Sequence, residues 1–382
     1  MERATRTHRA PAENAIGEFD LIRRFFTRPT PRAVLGVGDD CALLQPRPGM
    51  QQALSTDMLV SGRHFFPDVD PRALGHKALA VNLSDLAACG ASPVAFTLAL
   101  ALPEANPDWL LPFSQGLLAL ADAHGCELIG GDTTRGPLNI CVTVFGEVPR
   151  GQALLRSGAR PGDDIYVSGT LGDASLALAQ LLRERQARPH GGAHNTSGGD
   201  AAAGTSGSSS EGPAAAPDTP LQLAAADLAQ ARLRLEQPTP RLALGAALRG
   251  IATAAADISD GLLGDLGHIL QRSGLGATLD TDAAFQLLGA HHYSMQATAL
   301  LSKAAVRHAV LQHVLGGGDD YELVFTAPPA LRNAVLAAAA TSHTPVTRIG
   351  RIDATTGLRL LDAQGRALAQ HFHSFDHFAP AA

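Results

Sequence analysis

Lysine is nearly absent from this chain of 382 residues: Lys77 and Lys303 are the only two, and arginine carries the rest of the positive charge. Neither lysine follows a glycine-rich turn, so there is no Gly-x-x-x-x-Gly-Lys-Ser/Thr phosphate loop. Gly36 and Gly38 lack the third glycine of a Gly-x-Gly-x-x-Gly fingerprint, and no Gly-x-Ser-x-Gly elbow occurs. Cysteine is scarce as well. Cys41, Cys89, Cys126 and Cys141 stand singly in apolar runs with no Cys-x-x-Cys pair, which argues against zinc or a disulfide framework and for small core residues in a reducing compartment. The net charge of -6 leaves no basic stripe for a nucleic-acid backbone. No apolar run reaches membrane-spanning length, and the arginines of Met1 to Ala12 precede no apolar signal core, so the expectation is a cytoplasmic protein with no membrane partner.

Aspartate at glycine-rich turns is what the chain has instead. Gly36-Val-Gly-Asp-Asp-Cys-Ala-Leu and Ser55-Thr-Asp-Met-Leu-Val are two apolar runs, each able to form a buried strand, that deliver Asp39, Asp40, Ser55, Thr56 and Asp57 at strand ends and turns. Two unit charges about 4 Å apart repel by roughly 4 kcal/mol at an effective dielectric near 20, so such acids must be spread, protonated or neutralised. Magnesium, which takes hard oxygen ligands and the phosphates of a nucleotide, is one solution. Ordinary turn chemistry for Gly-Asp-Asp is the other reading. The same pattern returns at Gly130-Gly-Asp132, Asp257-Ile-Ser259-Asp260-Gly and Gly316-Gly-Gly-Asp319-Asp320.

Length allows two domains, read as residues 13–150 and 151–382 after a disordered 1–12, with the break in the Pro149 to Asp164 stretch. Apolar periodicity predicts a helix over 14–28 and, from the Asp70-Pro71 start, another reaching Gly90. Its last turns are apolar all round, so Asn82 and Asp85 point into protein, and Asp85 needs a cation, donors or a proton, or else pairs with Lys77 or Arg63. A strand over 96–102, a helix over 107–124 and a strand over 138–148 follow. The second half opens with the strand Ile165 to Ser168, and helices over 221–235, 242–250 and 262–272 precede a strand over 323–326. Ser259 and Asp260 are candidate N-caps of the 262–272 helix, which leaves Asp257 unexplained. Residues 186–220, almost wholly Gly, Ala, Ser, Thr and Pro, bury too little apolar surface to order and are expected to be a disordered insertion. Hairpin-like pairs outnumber helical crossovers, so the expected class is α+β.

Taken in order, Gly17-Glu-Phe-Asp-Leu-Ile, the two runs above, Lys77-Ala-Leu-Ala-Val-Asn-Leu-Ser-Asp-Leu-Ala-Ala, Gly130-Gly-Asp-Thr-Thr-Arg-Gly-Pro-Leu, Asp257-Ile-Ser-Asp-Gly-Leu and Asp320-Tyr-Glu-Leu resemble the thiamine-monophosphate kinase family. The resemblance spans nearly the whole chain outside the first dozen residues and the insertion. It implies the two-domain fold of the aminoimidazole ribonucleotide synthetase superfamily (PurM-like), with an N-terminal ATP-binding, metal-binding and dimerisation domain. It further implies ATP-dependent, in-line phosphorylation of thiamine monophosphate to thiamine diphosphate, several Mg2+ ions and a homodimer. Related ATP-using enzymes of the superfamily, such as a purine-pathway cyclo-ligase or a selenophosphate synthetase, and a nucleotide-binding regulator without turnover are the alternatives.

Carried over by motif, Asp40, Ser55, Thr56, Asp57, Asp85, Asp132, Asp257 and Asp260 would hold magnesium, with Asp57, Asp85 and Asp132 at the catalytic centre. Gly131, Asp132, Arg156 and Ser259 would contact ATP, Arg156 through its planar two-donor fork. His64, Asp319 and Phe375 would contact substrate, with Phe372 and Phe375 as aromatics against the cationic thiazolium or the pyrimidine. Asp319 stands where the family carries glutamate. His64 as a packing residue, and the two phenylalanines as core, are the bland readings of the same positions.

Overall fold

A computed structural model describes residues 17–187, 221–289, 296–297, 303–368 and 372–374. The first dozen residues, positions 188–220 of the expected insertion, and Phe375 lie outside the described residues. The chain divides into two compact units, one running to Leu86 and resuming over Ala91–Gly151, the other formed by Ala87–Gly90 and the chain from Gln152 onward.

The first unit contains α1 (Glu18–Leu21), β1 (Met50–Val60), α2 (Pro71–Ala88), β2 (Ser92–Leu102), α3 (Pro107–Ala123), β3 (Glu127–Arg135) and β4 (Asn139–Pro149). Instead of one long helix over 14–28, α1 is a single turn that passes into a π-helical turn, Ile22–Phe26. That change of pitch buries Leu21, Phe25 and Phe26 but turns Phe19 out to 80% exposure. Asp70 starts α2 as its position predicts, its carboxylate accepting the Ala73 amide at 2.9 Å. The strands form a sheet ordered β1-β4-β2-β3, antiparallel except for the parallel β2/β3 pair. Helices α2 and α3 touch where glycines let their backbones meet: a Cβ on Gly116 would lie 1.9 Å from the Arg72 carbonyl oxygen, and one on Gly75 2.0 Å from that of Phe113.

Neither run of the opening stretch is a buried strand. Residues 35–43 form only isolated bridges, Leu35 with Leu43 and Val37 with Asp39, and Val34 and Leu43 are exposed. A true strand, β1 lies at the sheet edge, and its burial alternates because helix covers one face alone. Ala53, Ser55, Asp57 and Leu59 share the covered face, whereas Leu54, Thr56 and Met58 are exposed on the other. Cys41 is likewise exposed rather than core, while Cys126 is buried; none of the four cysteines is bonded to another.

The second unit comprises β5 (Asp164–Ser168), α4 (Asp173–Ala187), β6 (Leu221–Gln222), α5 (Ala225–Glu236), α6 (Leu242–Ala247), β7 (Ala254–Ile258), α7 (Leu262–Ser273), β8 (Gly276–Asp280), α8 (Thr281–Phe285), β9 (Gln296–Ala297), α9 (Lys303–Gly316), β10 (Glu322–Ala327), α10 (Arg332–Thr341), β11 (Val346–Asp353) and β12 (Gly357–Leu361). Among the described residues its main sheet runs β12-β8-β11-β5-β10-β7, antiparallel except at β12/β8, so the mixed, mainly antiparallel α+β class expected from the sequence is what both units show. Ile165, Val167, Ile258, Leu266, Ile269, Val314 and Val324 meet in its core. Phe372 belongs to that core, its ring 5.2 Å from the His308 ring, as the core reading of that position expects.

His313 of α9 is buried in this unit, its Nδ1 2.9 Å from the Ser175 hydroxyl. Burial first, and the Arg183 charge second, push its pKa down to about 4. An unfolded chain takes up a proton there near pH 6.5, which the folded chain refuses until about 4. Stability should therefore fall with pH through that window, by about 2 kcal/mol at pH 5 relative to pH 7. Urea midpoints of the protein and of His313→Gln at the two pH values check this: the variant should lose most of the difference, and an undiminished difference would place the effect elsewhere.

Candidate active site

Two acidic groupings occur in the first unit. Asp39, Asp40, Gly130, Gly131 and Asp132 line an open cavity of about 650 Å³, together with Glu18 and Thr133. Asp39 fastens its own turn, its carboxylate accepting the Asp40 amide at 2.8 Å, so the Asp40 side chain stands exposed at the cavity. Across the cavity Gly131 has φ 148 and passes so close to β2 that a Cβ would lie 1.9 Å from the Leu98 carbonyl oxygen; only glycine fits beside Asp132.

The second grouping sits where β1 faces α2. Ser55 donates its hydroxyl proton to Asp85 Oδ2, and Asn82 Oδ1 accepts the Asp57 amide at 3.1 Å while its Nδ2 donates to the Ala78 carbonyl at 3.1 Å. A buried asparagine one turn from Asp85 therefore fixes the backbone of Asp57. Sequence placed Asn82 inward but gave it no task, since an inward amide shows its partner only after β1 has docked. Charge from Asp57 also reaches the Cys141 thiol, whose pKa is raised first by burial and then by that carboxylate. Thr56 faces away, its hydroxyl 2.9 Å from that of Thr143 on β4, so its side chain is not on the face that carries Ser55 and Asp57. His64 Nδ1 accepts the Val60 amide at 3.0 Å, which leaves the proton of the neutral ring on Nε2. Lys77 reaches the His64 carbonyl at 3.5 Å.

The second unit carries its acids on two adjoining turns. Asp257, buried, is the last residue but one of β7; Ser259 and Asp260 follow the strand, half-buried. Neither caps α7, whose N-cap is Gly261 with no side-chain bond; the Gly264 amide is met instead by Ser374 Oγ at 2.9 Å. The turn is held by Asp265, whose Oδ2 accepts the Ser259 and Asp260 amides at 3.0 and 3.1 Å. Burial, then the Asp260 charge, push the Asp265 carboxyl up to about 7, against the two amides and the Arg156 guanidinium. Arg156 itself is exposed.

The 316–321 turn is laced to the first: the Asp319 amide donates to Ser259 O and the Tyr321 amide to Ile258 O, both at 2.9 Å. Asp319 and Tyr321 both adopt left-handed backbone, φ 69 and 51, unusual for side-chain-bearing residues and held by those two bonds. Of the acids in Asp319-Asp320-Tyr321-Glu322, only Asp319 is partly exposed. Asp320 is wholly buried, accepts the Gly172 amide at 2.7 Å at the start of α4, and has its pKa raised by that burial. Glu322 lies inside an arginine pair.

Oxygen ligands predominate in every grouping, which suits magnesium, yet among the described residues no three His, Cys, Asp or Glu side chains are arranged to hold a metal ion by themselves. Magnesium commonly takes one or two carboxylates and completes its shell with water and substrate phosphates, so the donor set fits an ion that arrives with a nucleotide.

Residues 38–148 match the AIR synthase related protein N-terminal domain family, and residues 160–362 match its C-terminal domain family. A thiamine-monophosphate kinase of Salmonella typhimurium (strain LT2) is 43% identical over 373 residues, covering 96% of this chain and 99% of that protein. The crystal structure of a thiamine-monophosphate kinase from Stenotrophomonas maltophilia K279a superposes with a TM-score of 0.69 at 45% identity, over 88% of this chain and 93% of that one. A structure of AaThiL complexed with AMPPCP and TMP gives a TM-score of 0.63 at 26% identity, over 87% and 89% of the two chains.

Proposed function

This chain belongs to the thiamine-monophosphate kinase family of AIR synthase related proteins, and from that membership we propose that its glycine-flanked aspartates hold magnesium against the phosphates of ATP. The reaction is ATP-dependent phosphorylation of thiamine monophosphate in the formation of thiamine diphosphate. A phosphate oxygen of thiamine monophosphate attacks the γ-phosphorus of ATP in line, the bond to the bridging oxygen breaks, and ADP leaves. Full-length likeness at 43% identity is the observation that carries this reading.

Positioning and charge stabilisation are most of what a protein contributes to such a transfer. In the first unit Asp40 and Asp132 would hold magnesium from the cavity walls and Asp57 and Asp85 from the β1/α2 face, with Ser55 orienting Asp85. Bound magnesium would neutralise the phosphates and stabilise charge shifting to the leaving oxygen. Gly131 lets the phosphates approach backbone beside Asp132, where any side chain would collide with β2. His64, its Nδ1 occupied, would present an Nε2 proton to a phosphate oxygen of the substrate. In the second unit Asp257 and Asp260 would bind further magnesium, Ser259 and Arg156 the nucleotide, and Asp319 and Phe375 the thiamine moiety.

We place a homodimer contact on the outer face of the first unit's sheet, where β1 leaves its far edge open and exposes Leu54 and Met58. No described helix is long and apolar enough to cross a membrane, and the reading places the reaction in the cytoplasm. Purified protein incubated with γ-labelled ATP, magnesium and thiamine monophosphate should yield labelled thiamine diphosphate and equimolar ADP. Release of inorganic phosphate only, or saturable ATP binding with no acceptor labelled, would overturn the assignment.

A further inference from the structure

Asp265 lies outside every motif that carried the family resemblance, yet it is buried beside two of the residues in them. Its side chain is buried on the first turn of α7, and one carboxylate oxygen receives two successive backbone amides, those of Ser259 and Asp260. A single acceptor shared by neighbouring N–H groups fixes both peptide planes, and with them the directions in which the Ser259 and Asp260 side chains leave the backbone. The Asp265 amide donates to Gly261 O at 3.0 Å, closing the loop from the opposite side, and Gly261 at φ 118 supplies the reversal this requires. The Ser259 carbonyl, in turn, accepts the Asp319 amide. A Cβ on Gly318 would fall 2.4 Å from that carbonyl oxygen, so the second turn has no room to follow if the first one shifts.

We propose that Asp265 is a positioning residue for nucleotide and magnesium binding, acting through the backbone of Ser259 and Asp260, whose side chains it aims without touching the ligands itself. The inference rests on the reading above that those two side chains meet ATP and magnesium. Asparagine keeps an oxygen able to accept both amides; alanine keeps none. Asp265→Ala should therefore weaken binding of the magnesium complex of AMPPCP, measured by calorimetry, about tenfold. It should also raise the KM for MgATP and the magnesium concentration giving half-maximal rate, while the KM for thiamine monophosphate stays close to that of the parent protein. Asp265→Asn should restore binding to within a factor of about two to three.

Thermal midpoints measured alongside separate a loss of folded protein from a loss of affinity. If Asp265→Ala folds poorly, Asp265→Asn and Asp265→Ser serve in its place, the serine, too short to reach both amides, expected to bind AMPPCP more weakly than the asparagine; equal affinity in the two would overturn the proposal. Unchanged AMPPCP affinity in folded Asp265→Ala, or equal losses in the alanine and asparagine variants, would overturn the proposal. Ser259→Ala and Asp260→Asn are the companion controls. Should both bind AMPPCP as the parent does, the assignment of ligands to this turn fails, and that failure is distinct from one confined to position 265.

Discussion

The Asp57→Asn variant is expected to fold like the parent protein and to make thiamine diphosphate roughly a thousandfold more slowly. Asparagine keeps the shape and the backbone amide that Asn82 accepts, so β1 and α2 lose no contact the amide provides. What disappears is one full negative charge facing α2 beside Asp85. Charge stabilisation by a correctly held metal is worth several kcal/mol in a transfer reaction, and each 1.4 kcal/mol is a factor of ten in rate. Steady-state turnover at saturating ATP and magnesium, read beside a melting curve, gives the answer. Unfolding at ordinary temperature would make Asp57 a structural residue, and a rate within tenfold of the parent would remove it from the catalytic centre.

The largest stability loss is expected at Glu322. This carboxylate is fully buried and accepts from Ser168 Oγ at 2.6 Å, Arg234 Nη2 at 2.7 Å and Arg241 Nε at 2.6 Å, with Arg241 Nη2 closing a second contact. Ser168 Oγ also accepts the Leu323 amide, so β5 and β10 are joined through the same cluster. Truncation to alanine strands two half-buried guanidinium groups without the carboxylate that bonds them both, and breaking a buried pair in this way costs about 3–5 kcal/mol. Glu322→Gln, which keeps acceptor and volume but not charge, should lose less, about 1–3 kcal/mol. Chemical denaturation of both variants tests the ordering. A Glu322→Ala protein as stable as the parent would mean that the two arginines find solvent or other acceptors once released.

The contrast between Glu322 and Asp319 shows where sequence stops being informative. Both stand in one acidic run, and the chain alone marks the whole run as a candidate site. Which acid faces inward is set by the turn conformation, with left-handed residues at 319 and 321, and no local propensity predicts that for Asp or Tyr in this order. The segments that could be read, such as β5, α7 and β10, have a strong apolar signal and punctuation at their ends. The run over 35–43 has a similar apolar signal yet forms only bridges, because it has no sheet neighbour on either side to complete a ladder. Phe372 read equally well as core or as substrate contact, and only the packing against His308 decides. The acids of the candidate site were legible because aspartates clustered beside glycines are conspicuous. The residues that hold them, Asn82 and Asp265, were not, because the partner of Asn82 is distant in sequence and those of Asp265 are backbone amides that only the folded turn brings to it.

The alternation along β1 also limits how the gene can vary. Ser55 and Asp57 face the helix while Thr56 faces outward, so deleting one residue between Met50 and Leu54 without shifting the pairing would exchange the two sets. A threonine and a methionine would then stand against α2, and the carboxylate would look outward. A change of length before the strand begins, in the exposed stretch from Gln45 to Gly49, would leave the facing of β1 as it is, provided that it spares the bonds of Arg47 to Glu147 on β4.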